Sequence, residues 1–158
     1  MSMITGTVSV NAAFLQEIKE DNQQLRTLLD SALDLVSSRR RARVATDQLT
    51  GTLGQLRDQL AMHFALEEAF GYFEDAIEVA PRLSEWADDL RAEHGTLFLN
   101  LCSLVERVER ICYGRTAVRL PRRVALEFEM FYDVLKEHED NENALILEAL
   151  DEDIGVGD

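Results

Sequence analysis

Every histidine in the 158-residue chain, His63, His94 and His138, stands where the flanking heptad-like pattern asks for a leucine. Two of them are followed four residues later by glutamate, as His63-Phe-Ala-Leu-Glu67 and His138-Glu-Asp-Asn-Glu142. On a helix four residues turn through about 400°, so the imidazole and carboxylate of each pair project from one face, one turn apart. With no sulfur among them, these donors suit iron, manganese or zinc rather than copper(I) or magnesium. A polar group without a partner in an apolar interior costs roughly 2–7 kcal/mol, and a bare carboxylate costs more. Two glutamates and three histidines at core positions therefore call for something cationic between them. Two carboxylates from two helices are enough to bridge a pair of ions about 3.5–4 Å apart.

Four apolar stripes at steps of three and four must position these residues. The first is Leu15, Ile18, Asn22, Leu25, Leu29, Ala32, Val36; the second is Leu49, Leu53, Leu56, Leu60, His63, Glu67, Phe70, continuing to Ile77 past a skipped turn at Glu74. The third runs Leu83, Ala87, Leu90, His94, Leu97, Leu101, Leu104, Val108, Ile111, and the fourth Val124, Phe128, Phe131, Leu135, His138, Glu142, Leu145, Ala149. Asn11, Thr46 and Ser84 are the expected N-caps, Gly114 sits where a C′ glycine would end the third helix, and Pro81 and Pro121 fall at junctions. Gly51 and Gly54 weaken the first turns of the second helix. Short connections between long helices predict an all-α, up-down-up-down four-helix bundle over residues 11–150, with flexible tails at 1–10 and 151–158.

In that bundle Asn22, His63 with Glu67, His94, and His138 with Glu142 all lie roughly 12–20 residues from the adjoining connections, so antiparallel packing brings them to one height. Here the sequence resembles the hemerythrin-like, or HHE cation-binding, family, along nearly the whole chain and in the runs Glu17-Ile-Lys-Glu-Asp-Asn22, His63-Phe-Ala-Leu-Glu-Glu68 and Glu137-His-Glu-Asp-Asn-Glu142. The resemblance implies a non-haem centre of two iron ions, with Glu67 and Glu142 bridging and His63, His94 and His138 as terminal ligands. Two positions depart from the family pattern. Asn22 stands for the first family histidine, and Phe98 for the second helix-three histidine of the oxygen-carrying members. Both count against reversible oxygen carriage and leave a coordination position open or water-filled. Asn22 is expected as a weak ligand through its amide oxygen, or as a hydrogen-bond partner of a metal-bound water. Glu20, Asp21, Glu68, Glu93 and Glu139 lie off the seam and read as a solvated face.

Composition bounds the function. Thirty acidic against 16 basic side chains give a net charge of −14, which disfavours nucleic acid as a partner. No run of about 18 apolar residues indicates a membrane span, and Met1 to Ala13 carry no signal-peptide pattern, so a cytoplasmic protein is expected. Cys102 and Cys112, about 15 Å apart along one helix, are expected as free thiols. No nucleophile arrangement or phosphate-binding loop is present, which leans the reading away from a hydrolytic enzyme. Arg39, Arg40, Arg41, Arg43, Arg115, Arg119, Arg122 and Arg123 gather at one end, either to complement helix dipoles or to dock a partner. Three readings stay open: a di-iron protein that binds or senses oxygen or nitric oxide or handles iron, an iron-dependent oxidative or repair enzyme, and a metal-free helical interaction module.

Overall fold

The computed structural model describes residues 20–37, 42–69 and 73–157, so the expected N-terminal tail, Asn11, Phe70 and Arg39 to Arg41 lie outside the described residues. Helix α1 covers residues 20–36, α2 Thr46–Ala69, α3 Glu74–Val79, α4 Ser84–Cys112 and α5 Arg122–Gly157, with a 3-10 turn at Pro81–Leu83. Four long helices thus form the expected all-α four-helix bundle. Ion pairs show the antiparallel run of α5 against α4: Arg107 near the end of α4 meets Glu127 near the start of α5, while Arg82 meets Glu148 at the opposite end. No helix among the described residues is long and apolar enough to cross a membrane.

The described stripe residues bury much as their spacing requires. Leu25, Leu49, Leu56, Leu60, Leu101, Leu135 and Leu145 are fully enclosed. These side chains do not make one continuous core. A large cluster runs from Leu25, Leu60, Phe64, Leu97 and Leu135 towards the first and third connections, and a smaller one joins Phe73, Ala76, Ala80, Leu83, Ala87, Leu90, Leu145 and Ala149 at the far end. On α4 the two clusters part between Leu90 and Leu97, and on α5 between Leu135 and Leu145. His94, His138 and Glu142 occupy those gaps, so the polar residues form a layer between two apolar blocks.

The second helix does not reach Ile77. A helix continued through Glu74 would carry that carboxylate onto the seam; instead α3 starts at Glu74, leaving Glu74 and Asp75 exposed at its positive N-terminal end and burying Ala76 in place of Ile77. Helix α3 packs on α5 and closes the far end of the bundle. At the other C-terminus, α5 stays helical to Gly157, so the acidic stretch expected as a tail continues the helix.

A two-stranded bridge unforeseen from the stripes ties the opposite end. Val44–Ala45 (β1) and Ala117–Val118 (β2) pair antiparallel, which brings the first and third connections together and their exposed arginines, Arg43 and Arg115 among them, to one end. Thr46 does not act as the side-chain cap its type suggests: its hydroxyl donates across this junction to the Arg115 carbonyl at 2.7 Å, and its N–H donates to the Thr116 carbonyl at 3.0 Å. Ser84 is the first residue of α4, and the cap position, Leu83, makes no side-chain cap. Gly114 has φ +74°, the left-handed conformation that ends α4 at no Cβ penalty. Thr46→Val should lower thermal stability by about 1 kcal/mol through loss of the cross-junction hydroxyl bond, without altering metal content; an unchanged melting curve would show the bond to be idle.

Candidate metal centre

Three helices deliver the five donor side chains. His63 and Glu67 come from adjacent turns of α2, His94 from the middle of α4, and His138 and Glu142 from adjacent turns of α5; all five are buried. Their donor atoms form two triads, His63 with Glu67 and Glu142, and His94 with His138 and Glu142, each drawn together within 4.8 Å. Glu142 belongs to both. Glu67 also spans them, with Oε1 2.5 Å from His63 Nε2 and Oε2 3.8 Å from His94 Nε2. This is the arrangement two bridging carboxylates need.

Each imidazole has its other nitrogen against a carboxylate. His63 Nδ1 lies 2.5 Å from Asp21 Oδ2, His94 Nδ1 3.3 Å from Glu68 Oε1, and His138 Nδ1 3.4 Å from Glu93 Oε1. A proton on Nδ1 donates outwards in each case and leaves the Nε2 lone pair facing the centre, the tautomer a metal ligand requires. Phe64 fixes the rings further, stacking on His94 at 4.1 Å and 8° and meeting His138 edge-on at 5.9 Å.

The inward-facing atoms face only one another, His63 Nε2 towards Glu67 Oε1 and His138 Nε2 towards Glu142 Oε1 at 2.6 Å. Among the described residues, seven buried side-chain atoms lack a hydrogen-bond partner, and six belong here: Nε2 of His63, His94 and His138, Oε2 of Glu67 and both carboxylate oxygens of Glu142. Native interiors satisfy nearly all such atoms. A cluster of six lone-pair donors, three nitrogen and three oxygen, fits a cation and fits little else.

Asp21, not Asn22, is the α1 residue of this layer. Asn22 is exposed and borders the centre only from a small cavity, whereas Asp21 is 7 % exposed and accepts from both His63 and Gln59, the latter at 2.6 Å. The expectation that Asn22 lies on the seam is thereby corrected, while its alternative role, a hydrogen bond to a metal-bound water, is compatible with its place on that cavity. At 100° per residue, positions 21 and 22 lie about 50° to either side of the Leu25, Leu29, Ala32, Val36 stripe, so periodicity could not choose between them. Chemistry chooses: a buried imidazole needs an acceptor for Nδ1, and aspartate is the stronger one. Glu68 and Glu93, also read as solvated, do reach water but touch histidines as well.

Charge is unevenly held. Burial pushes the Glu142 carboxyl up, and the adjoining Glu67 pushes it further, to about 11. Burial opposes charge on His63, yet the bonds to Asp21 and Glu67 outweigh it and raise its pKa to about 10. Glu67 is also opposed by burial, but His63 and Glu142 hold it below the ordinary range. His138 is pushed down by burial and by His94 beside it. Without a cation the layer thus neutralises itself with protons.

A helical bundle with a buried layer of histidines and carboxylates defines a class, the metal-binding four-helix proteins. Within it, the sequence matches the hemerythrin HHE cation-binding domain model over residues 13–150, and the chain belongs to that family. No curated protein and no solved structure matches it significantly.

Two outcomes follow from the site. Asp21→Asn keeps the shape but replaces one of two accepting oxygens with a donor, so it should weaken metal binding about 10- to 100-fold in a chelator competition; unchanged affinity would mean that Asp21 does not hold His63. For the metal-free protein, Glu142 and His63 both carry folded pKa values above their ordinary 4.5 and 6.5. Raised values stabilise the fold at low pH and lose that contribution as the unfolded chain deprotonates first, so melting temperature should fall from pH 7 to about 10. A metal-free melting temperature that rises over that window would refute this assignment of protons.

Proposed function

We propose that this protein is a non-haem di-iron protein of the hemerythrin-like family that binds or senses a small ligand such as oxygen or nitric oxide. The observation that carries the reading is the pair of triads sharing Glu142, with six buried lone-pair atoms aimed at one point. Glu67 and Glu142 would bridge the ions, and His63, His94 and His138 would bind them terminally. Iron bound there would supply reversible redox chemistry and an exchangeable coordination position; manganese or zinc would suit the same donors.

The chain's own residues set the terms for that chemistry. Asp21, Glu68 and Glu93 hold the imidazoles in the ligating tautomer, and Phe64 with the two apolar clusters keeps bulk water from the His94 side. The set is asymmetric. One triad offers two imidazoles and the other one, so with both carboxylates bridging, the ion beside His63 would have the fewer protein donors and the position free for an incoming ligand. Cys102 and Cys112 are both free, which suits a reducing cytoplasm.

Elemental analysis after anaerobic loading with ferrous iron should find about two ions per chain, with a visible absorption change on admitting oxygen or nitric oxide. Glu142→Leu, which removes the shared ligand, should lose the iron while the metal-free bundle melts at the same temperature or higher, because a leucine replaces a buried unpaired carboxyl. A parent chain that takes up no iron would sink the reading and favour a metal-free interaction module.

A further inference from the structure

The end of the bundle away from α3 carries a charge opposite to that of the whole chain. Residues 113–123 hold four arginines and no acidic side chain, in a chain of net charge −14. Those four, Arg115, Arg119, Arg122 and Arg123, are exposed, as is Arg43 in the first connection. The β1–β2 pairing ties the two connections into one platform, and its register, Val44 opposite Val118, sets Arg43 opposite Arg119 one step beyond the paired residues. Like charges placed across a strand pair repel. Arg123 alone of the five is ion-paired among the described residues, to Glu127 at 3.4 Å.

The helix ends do not call for this charge. A cation stabilises the negative C-terminus of a helix and is opposed at the positive N-terminus. Arg115 suits the rule, three residues past the end of α4 at Cys112. The other four break it. Arg43 precedes α2 by three residues, Arg119 precedes α5 by three, and Arg122 and Arg123 open α5, whose first turn has no acidic residue. Complementing helix dipoles therefore accounts for one arginine of five. Charge that the fold does not neutralise, held on a tied platform, is neutralised by an anion from outside.

The surroundings narrow that anion. Asp47 in the first turn of α2, and Glu106 and Glu109 in the last two turns of α4, are exposed just behind the arginines. A bilayer or a nucleic-acid duplex is wider than the platform and brings phosphates against these carboxylates, whereas a narrow acidic peptide does not. Neither connection contains lysine, and arginine is the side chain whose planar fork takes a carboxylate through two parallel bonds. Tyr113, 89 % exposed beside the cluster, adds an aromatic face of the kind enriched with arginine at protein–protein interfaces. We infer that this end of the bundle is a docking surface for an acidic segment of a partner protein, a run of aspartate or glutamate held by Arg43, Arg115, Arg119 and Arg122. It lies apart from the metal centre and does not depend on its loading.

A labelled oligoglutamate peptide, with oligoglutamine as control, tests this on the full chain by fluorescence anisotropy. The parent should bind oligoglutamate, more weakly as salt is raised, and should not bind oligoglutamine. Arg119→Glu combined with Arg122→Glu should weaken oligoglutamate about tenfold or more, and the corresponding lysine pair less, since charge is kept and the fork lost. Arg91→Glu, on α4 towards the other end, should change nothing. The double glutamate variant should melt at the parent's temperature or higher, because it removes charges that the helix dipole opposes. Equal oligoglutamate affinity in parent and double variant overturns the docking surface, and so does a double variant and a lysine pair that both melt well below the parent, which would make the arginines structural. Tighter arginine-dependent binding of phosphatidylserine vesicles or a DNA duplex than of oligoglutamate overturns the acidic segment as its occupant.

Discussion

Six lone-pair atoms buried between two apolar blocks are the constraint from which the rest of this structure follows. Within the layer they face only one another, as where His138 Nε2 lies 2.6 Å from Glu142 Oε1, and leucine layers lie above and below. An interior of this kind is stable only if positive charge enters it, as metal ions or as protons. The raised pKa values of Glu142 and His63 are the proton version of that answer. The metal version uses the same atoms. The outer carboxylates make sense in this light, because a histidine donating from Nδ1 must find an acceptor outside the layer, and Asp21, Glu68 and Glu93 supply three.

Those three acceptors differ in their contact with water. The Asp21 side chain is 6 % exposed, Glu93 43 % and Glu68 58 %. Water competes for the outer two and lowers what each contributes, whereas the Asp21–His63 bond is sheltered and close to full strength. It also joins two helices. Gln59 and His63 on α2 both donate to Asp21 on α1, and Tyr132 on α5 donates to Asp30 at 3.0 Å one side further round. None of the described residues of helix α1 joins either triad, yet its seating on the bundle and the orientation of His63 are one interaction.

Much of this was legible in the residues. Each described ligand candidate except Asn22 is where its stripe placed it, because a 3.6-residue period with leucines on both sides leaves a histidine little freedom to face elsewhere. Three features escaped for definite reasons. Asp21 and Asn22 flank the first stripe symmetrically, so angle alone could not rank them. The break between Ala69 and Glu74 was hidden because Ile77 keeps the period that Glu74 violates, and the cost of burying Glu74 decides against continuity. The β1–β2 bridge spans only two residues on each strand, too short for any alternation to register. The outer role of Glu68 and Glu93 was invisible since each is also a good surface residue, and only the tertiary approach of a histidine distinguishes them.

The two His-x-x-x-Glu pairs are local in sequence, while the triads they enter are not. Each pair can chelate an ion from a single turn of nascent helix, before α4 has docked and before Glu142 has met Glu67. His94 completes its triad only through long-range packing of α4 and α5. An ion present during synthesis therefore meets two competing half-sites on an unfolded chain, and whatever affinity they have is subtracted from the stabilisation the finished centre confers. The order of assembly matters as a result: a bundle closed on protons receives its ions through an existing opening, and a chain that meets them early must bring two loaded turns together against their mutual repulsion.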